Sequence, residues 1–293
     1  MGVLVGLVIA FAAMIGSYVA MGGKVAVLWQ PFEYTMICGI ALGCFIMANP
    51  MSTIKDSGAA VLDAVLDRAP KRAEYLEILG CLFALMRDLR SRPRNEVEAH
   101  VDDPDGSELF KHYPKVLKNK LLTQFVCDYV RLIIIGNARS HEIEALMDEE
   151  ISTIRKAKLK PYQAMTSVAD GLPAIGIVAA VLGIVKAMGA IDQEPTILGG
   201  YIAAALVGTF TGIFLSYGVC GPLAQKIKGV REKQLQPFVI AKQSLIAFMN
   251  GALPQIALEH GRKTISAATR PTIDEVESEA VGNTPAPGLQ AAA

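Results

Sequence analysis

The sequence has little that points to metal, cofactor or redox chemistry. No two of its five cysteines form a CxxC pair, and its four histidines are scattered without the spacing of metal ligands. It also contains no phosphate-binding glycine loop and no nucleophile triad. We therefore expect buried, reduced thiols, no metal, no cofactor and no enzymatic activity.

An excess of positive charge is missing too. The 28 Lys and Arg residues balance 28 Asp and Glu residues, so the formal net charge is +0. A protein that binds phosphate backbones concentrates basic residues on one surface. We therefore expect no nucleic acid partner.

Several long stretches lack charge altogether. No charged residue occurs in the 31 positions of 195–225, and 171–185 is equally uncharged. Residues 2–21 and 32–49 are two more apolar stretches, with Glu33 only at an edge. A helix needs roughly 20 apolar residues to cross a bilayer. These stretches predict an all-α membrane protein with four transmembrane helices and a large helical cytoplasmic domain.

Basic residues predict the orientation of these helices. Segment 51–170 contains 18 Lys or Arg residues and segment 224–293 contains eight. Because cytoplasmic segments carry the excess of Lys and Arg, we expect both segments and both termini in the cytoplasm. The expected parts are a first transmembrane hairpin (1–49), a cytoplasmic helical domain (50–169), a second transmembrane hairpin (170–223), a cytoplasmic helical segment (224–270) and a disordered tail (271–293).

The predicted spans lack an ionisable side chain at depth. Asp170, Lys186, Asp192 and Glu33 all fall at span ends. Proton relays through membranes normally require an ionisable group inside the membrane. If this chain conducts protons, another chain must therefore supply the carboxylate.

The second hairpin carries small residues at helical spacing. They are Gly176, Ala179, Ala180 and Gly183 on one helix and Ala204, Gly208 and Gly212 on the other. Such residues let transmembrane backbones approach closely, so tight packing is predicted. Thr209 is the only hydroxyl centred in this small stripe. Pro173, expected in the first turn of its helix, and Pro222, expected near a helix end, remove backbone donors, which permits helix adjustment or simply marks helix ends.

The segments outside the spans have the apolar periodicity of packed helices, over residues 57–91 and 142–158. Residues 121–135 are nearly as apolar as a span but contain Asp128 and Arg131. A charged pair in mid-helix would be expensive in lipid, so this helix is expected in the core of the soluble part.

Charges separate by sign between residues 87 and 105. Four arginines, at 87, 90, 92 and 94, are followed by acids at 96, 98, 102, 103 and 105, with Asp88 the exception. This pattern is consistent with a helix end followed by a loop, or with a two-signed docking surface whose charges set orientation and association rate.

Several motifs together identify a family. They are Asp170-Gly-Leu-Pro-Ala-Ile-Gly-Ile-Val-Ala-Ala-Val-Leu-Gly, Val-Gly-Thr-Phe-Thr-Gly at 207–212, Gly-Pro at 221–222, Glu142-Ile-Glu-Ala-Leu-Met-Asp-Glu-Glu, the stretch 125–133 and Glu259-His-Gly-Arg-Lys-Thr. They resemble the A subunit of the bacterial flagellar stator, the MotA type. The resemblance covers nearly the whole chain except the tail.

The resemblance implies a proton-conducting subunit of the bacterial inner membrane that converts ion flow into torque, and so serves motility and chemotaxis. It implies a homo-oligomer, a pentameric ring, around a MotB-type single-span, peptidoglycan-binding partner that carries the essential Asp. It also implies contact between Arg90 and Glu98 and a FliG-type protein of the rotor's switch complex. The implied ion pathway includes Asp170, Pro173, Ala180, Thr209 and Pro222.

Three further expectations concern the coupling ion and the two alternative functions. Sodium-driven relatives have a Thr at the position matching Ala180, so proton coupling is expected here. An energiser of outer-membrane processes, of the ExbB or TolQ type, usually has three spans, which four spans disfavour. A solute transporter is disfavoured because the proline-interrupted hairpin has no second copy, whereas inverted repeats are frequent in transporters.

Overall fold

A computed structural model describes residues 2–136 and 139–282, and all the regular structure in these residues is helical. The chain forms two compact units. Unit 1 contains the described parts of 1–68 and 158–231, and unit 2 contains those of 69–157 and 232–293. Four helical stretches are long and apolar enough to cross a membrane, which confirms the predicted number of spans: Gly2–Ala20, Val25–Ala48, and stretches within Ser140–Met188 and Pro195–Met249.

Unit 1 contains the candidate spans. Its elements are α1 (Gly2–Ala20), α2 (Val25–Leu28), α3 (Pro31–Ala48), α4 (Met51–Val65), the later part of α10 (Ser140–Met188), α11 (Pro195–Phe214), a first π-helical segment (Leu215–Cys220) and α12 (Gly221–Lys233). Helix α1 has no buried residue although it is almost entirely apolar. Such a helix suits a lipid environment or a neighbouring subunit.

Helix α10 is longer than the sequence predicted. Separate helices were expected over 142–158 and from 171 onward, but Ser140–Met188 is one helix of 49 residues with Pro161 and Pro173 inside it. The placement of Pro173 in the first turn of a helix was therefore wrong. A proline removes one hydrogen bond to the residue four positions earlier, and the flanking turns keep this helix continuous. At 1.5 Å per residue the helix is about 73 Å long, well beyond the thickness of a bilayer.

Pro222 does not end its helix either. The helical run continues through the first π segment into α12, and Pro222 lies in the first turn of α12. In the π segment the Gly221 N–H donates to the Ser216 carbonyl, five residues earlier. This wider turn accommodates the missing donor and the ring of Pro222, which would clash in a regular α-helix.

Unit 2 has its own apolar core. Its elements are α5 (Arg72–Ser91), α6 (Arg94–Asp102), α7 (Glu108–Lys111), α8 (Pro114–Lys118), α9 (Lys120–Ile135), the first part of α10, α13 (Gln236–Met249), α14 (Pro254–Lys263), α15 (Ile273–Glu275) and a second π-helical segment (Val276–Val281). Phe125 and Val130 of α9 are fully buried in this core. Residues 121–135 therefore pack in a protein core, as their charged pair predicted.

Helix α5 lies at the centre of unit 2. All nine consecutive residues 78–86 are buried, so this part of the helix has no solvent face. Charged residues on both sides of 78–86 favoured a helix with one polar face. Residues 78–86 are instead apolar on every face, and other elements of unit 2, including the C-terminal segment, cover them.

The C-terminal segment is partly ordered, which corrects the expectation of a disordered tail for residues 271–282. Thr272 caps α15 through a capping box with Glu275, and Val276 and Ala280 are buried. The remaining residues, 283–293, lie outside the described part of the chain. The compact units also extend past the expected segment boundaries at 49, 170 and 223. Helices α10 and α12 continue across 170 and 223, whereas the boundary at 49 lies in the short break between α3 and α4.

Arg231 joins two helices of unit 1, and its replacement tests their packing. Only 7% of Arg231 is exposed, and its Nη2 lies 2.7 Å from Oδ1 of Asp56 on α4. We expect Arg231→Ala to destabilise the chain by about 1–3 kcal/mol, less than for a fully buried pair because Asp56 keeps contact with water. Thermal unfolding in detergent measures this, with the exposed Lys233→Ala as control. An unfolding midpoint equal to that of the control would show that the pair contributes nothing.

Candidate functional site: a glycine-packed membrane hairpin

The second hairpin is held together by direct contact between backbones. A Cβ added to Gly212 of α11 would lie 2.7 Å from the Leu172 carbonyl oxygen and 2.8 Å from the Gly176 Cα on α10. Real Cβ atoms essentially never come this close to backbone atoms. Only glycine therefore fits at this crossing of the two helices.

The small residues farther along the two helices meet in the same way. A Cβ on Gly183 would lie 2.8 Å from the Ala205 Cβ, and one on Gly208 would lie 3.3 Å from the Ala179 Cβ. The predicted tight packing of the two small faces is thus confirmed. Both faces are used within one chain, in the manner of small-residue interfaces between membrane helices.

The expected pathway residues lie beside this interface. Ala180 is buried, and its nitrogen would be 3.6 Å from a Cβ on Gly208, the residue before Thr209. The structure therefore places Ala180 and Thr209 at the same level of the hairpin. Thr209 is half-buried, whereas Thr211, two residues on, is 8% exposed. Thr209 is thus the more accessible of the two hydroxyls.

Asp170, Pro173 and Pro222 are located toward one end of the hairpin. Asp170 is exposed on α10, one turn before Pro173, and Pro222 is exposed at the start of α12. Within the described parts of the chain, no side-chain hydrogen bond joins these three residues. At the other end, the Lys186 Nζ lies 4.5 Å from the centre of the Tyr201 ring, a cation–π contact that suits a lysine at a membrane boundary.

Sequence reasoning missed the first π segment. Single π turns within α-helices are frequent at functional sites, since they shift the side chains that follow. The available signal was Pro222. Proline has no backbone N–H, so the carbonyl four residues earlier in an α-helix has no donor. The segment also buries Ser216, a polar residue that is 2% exposed.

The charged run of unit 2 separates into paired and free residues. The buried Asp88 carboxylate lies 3.1 Å from Arg87 Nη2 and 3.5 Å from Arg92 Nε, so both arginines contribute to the structure. Arg90 on α5 and Glu98 on α6 are exposed and have no ion-pair partner within the described residues. Arg94 of the same run is likewise exposed and without an ion-pair partner in this part of the structure, so exposure alone does not distinguish the two charges that the family resemblance implied.

His100 adds no positive charge near Glu98. Its Nδ1 lies 2.8 Å from the Ser107 Oγ, and burial lowers the pKa of the imidazole despite the nearby Asp88 carboxylate. A group whose pKa falls below its usual value near 6.5 is neutral at pH 7. The exposed charge on this part of the surface is therefore set by arginine, glutamate and aspartate side chains.

Comparison with known proteins identifies the family. Residues 4–93 match the motility protein A N-terminal family, and residues 116–238 match the MotA/TolQ/ExbB proton channel family. Motility protein A of Salmonella typhimurium is 38% identical over 277 residues, which cover 94% of this chain and 93% of that protein. This chain belongs to the motility protein A family. The family is one of proton channel components rather than enzymes.

Two solved structures share the motility protein A fold. The structure of C. jejuni MotAB aligns with a TM-score of 0.73 at 16% identity, covering 92% of this chain and 98% of that chain. The flagellar MotAB stator complex from Bacillus subtilis aligns with a TM-score of 0.67 at 20% identity, covering 94% and 98%. The all-helical architecture of this motility protein A chain therefore has experimental counterparts.

The glycine crossing generates a stability prediction. We expect Gly212→Val to separate α10 from α11 and destabilise the chain by several kcal/mol, since both nearest contacts are backbone atoms that cannot rotate away. Gly199→Val on the same helix is a matched control, because nothing lies within 4 Å of its added Cβ. Thermal unfolding in detergent compares the two. Equal unfolding midpoints would contradict the tight crossing.

Proposed function

We propose that this chain is a proton-conducting stator subunit of the bacterial flagellar motor. The observation that carries the proposal is its 38% identity to motility protein A over 94% of its length. The matched proton channel family at 116–238 includes the whole glycine-packed hairpin. We place the chain in the bacterial inner membrane with unit 2 and both termini in the cytoplasm, supported by the excess of Lys and Arg in 51–170 and 224–293.

The proton-carrying carboxylate comes from a partner in this proposal. The uncharged stretches 171–185 and 195–225 contain no acid, so α10 and α11 offer no carboxylate of their own at membrane depth. Both solved structures that share this fold are MotAB structures, and the one from Bacillus subtilis is a flagellar stator complex. A MotB-type single-span, peptidoglycan-binding subunit with an essential Asp, inside a pentameric ring of this chain, supplies what the hairpin lacks.

Proton transfer then drives movement in three steps. A proton reaches the partner's carboxylate beside Ala180 and Thr209. Neutralising that carboxylate changes which contacts it favours, so the ring moves relative to the partner. Pro173, Pro222 and the first π segment allow the helices to adjust without breaking. Each proton that crosses supplies about 2.3 kcal/mol per 100 mV of membrane potential.

Asp170 is the proposed exit for the proton. Its carboxylate is exposed at the end of the uncharged stretch of α10. Glu150, an acid earlier on the same helix, accepts a hydrogen bond of 2.8 Å from the Tyr129 hydroxyl. That contact engages the Glu150 carboxylate in unit 2, which favours Asp170 for release.

Arg90 and Glu98 transmit the movement to the rotor in this proposal, by contact with a FliG-type protein of the switch complex. Support comes from their exposure and from the absence of ion-pair partners for either side chain in the described residues. An energiser of the ExbB or TolQ type is less well supported, because residues 4–93 match the motility protein A N-terminal family specifically.

Swimming speed tests the coupling ion. A sodium site needs several oxygen ligands, whereas Ala180 presents a methyl group beside Thr209. We expect speed at fixed pH and membrane potential to be independent of external sodium, and a protonophore to stop cells in sodium-free buffer. Ala180→Ser is the matched variant, because it adds one hydroxyl oxygen with little change in side-chain size. Speed that saturates with sodium and vanishes without it would reject proton coupling.

Charge reversal tests the rotor-facing residues. We expect Arg90→Glu and Glu98→Lys each to weaken rotor contact by about two- to fivefold and reduce swimming, because exposed pairs contribute about 0.2–1 kcal/mol. Membrane levels and partner binding should not change. Arg155→Glu, an exposed reversal on α10 of unit 2, is the control. Normal swimming of the double reversal would remove both residues from the docking surface.

A further inference from the structure

The C-terminal segment packs on α5 beside Gly80, next to the Tyr113 ring. A Cβ added to Gly80 would lie 3.2 Å from the Ala280 carbonyl oxygen and 2.8 Å from the Tyr113 ring. Gly80 thus leaves room for the backbone of the second π segment. Eight residues earlier, the Arg72 guanidinium forms an ion pair with Glu275. The segment therefore runs along α5 in the same direction as the helix.

This segment, residues 271–281, is named the strap. The strap adds two small apolar side chains to the core of unit 2, where Val276 is 4% exposed and Ala280 is 1% exposed. Residues 78–86 of α5 are buried at every position, so removal of the strap would expose part of a fully apolar helix. Exposed apolar surface of this kind lowers stability roughly in proportion to its area.

The strap begins at a buried anchor in α14. Arg262, 5% exposed, donates from Nε and Nη2 to the two Glu259 carboxylate oxygens at 2.6 and 2.7 Å, and from Nη1 to the Pro271 carbonyl at 2.8 Å. Two parallel bonds to a carboxylate fix the orientation of an arginine. These contacts give Glu259 and Arg262 of the Glu259-His-Gly-Arg-Lys-Thr motif a structural role that neither the ion pathway nor the rotor charges supply.

Charge in the anchor is maintained across the physiological pH range. The hydrogen bonds from Arg262 lower the pKa of Glu259, with Lys263 and Arg270 acting in the same direction. Because the carboxyl pKa is lowered, the pair of hydrogen bonds between Arg262 and the ionised Glu259 is fully formed above the ordinary pKa near 4.5. It is lost only as the pH falls below that value. The anchor is therefore permanent rather than switchable near pH 7.

We propose that the strap is a positioning element for the exposed Arg90 side chain, acting through α5. The helix is continuous from Arg72 to Ser91, so Gly80 and Arg90 are about 15 Å apart along one rigid axis. A helix that transmits force must resist tilting, and the strap holds its first half against the core. The inference rests on the proposed function of Arg90, whereas the support of α5 by the strap can be measured without it.

Hydrogen exchange of the full-length chain, purified with its partner subunit, tests the support of α5. Val276→Asp places a carboxylate in the buried strap face, and Ser278→Asp places the same group on the exposed face. We expect amide exchange in α5 to rise by about tenfold or more in Val276→Asp and to stay unchanged in Ser278→Asp. A chain ending after Arg270 should behave like Val276→Asp, and one ending after Gly282 like wild type.

Torque at high load tests the link to Arg90. We expect Val276→Asp to lower torque at normal membrane levels, and to cause no further loss in an Arg90→Glu background, since interacting residues are non-additive. Unchanged α5 exchange in the chain ending after Arg270 would overturn the strap itself. Raised exchange with fully additive torque losses would overturn its action through Arg90. Loss of both strap variants from the membrane, with the controls retained, would reduce the strap to a folding element.

Discussion

The contact of two backbones at Gly176 and Gly212 governs what the membrane hairpin can do. Because a Cβ at either glycine would strike backbone atoms of the facing helix, no side chain lies between α10 and α11 at this crossing. Hydrophobic attraction between helices is absent in lipid, so close packing must hold them together. An interface filled with backbone has no space for a carboxylate. In the proposed mechanism the carboxylate therefore cannot lie in this interface, which agrees with the absence of charge in the stretches 171–185 and 195–225.

Much of this hairpin could be predicted from sequence, because its signals are local. Uncharged runs predict spans through the cost of charge in lipid, and small residues four apart predict close helices. The continuity of α10 through Pro173 and the π turn before Pro222 could not be predicted in the same way. Proline costs about 3 kcal/mol in an isolated helix, which indicates a helix end. Packing of the flanking turns offsets that cost, and packing is a tertiary property.

The C-terminal segment is a second case in which tertiary contacts overrode the local sequence signal, here by ordering residues whose composition predicted disorder. Its acidic residues followed by Ala, Pro and Gly are typical of disordered tails. What orders 271–281 is distant in sequence: Arg262 at its start, Arg72 opposite Glu275, and the missing side chain of Gly80. The local capping box at Thr272 was readable. The space beside Gly80 becomes meaningful only when α5 is seen to be buried on every side.

Burial separates structural charges from exposed ones in the run 87–105. Asp88 is 2% exposed and engages Arg87 and Arg92, whereas Arg90 and Arg94 are exposed and form no ion pair with any described residue. A docking surface with few free charges makes weak, salt-screened contacts. Under the proposed function, weak contacts suit a subunit that binds and releases a moving rotor repeatedly, because each release costs no more than the contact contributed. The proposal then requires torque to be transmitted through the rigidity of the helix behind Arg90 rather than through tight binding.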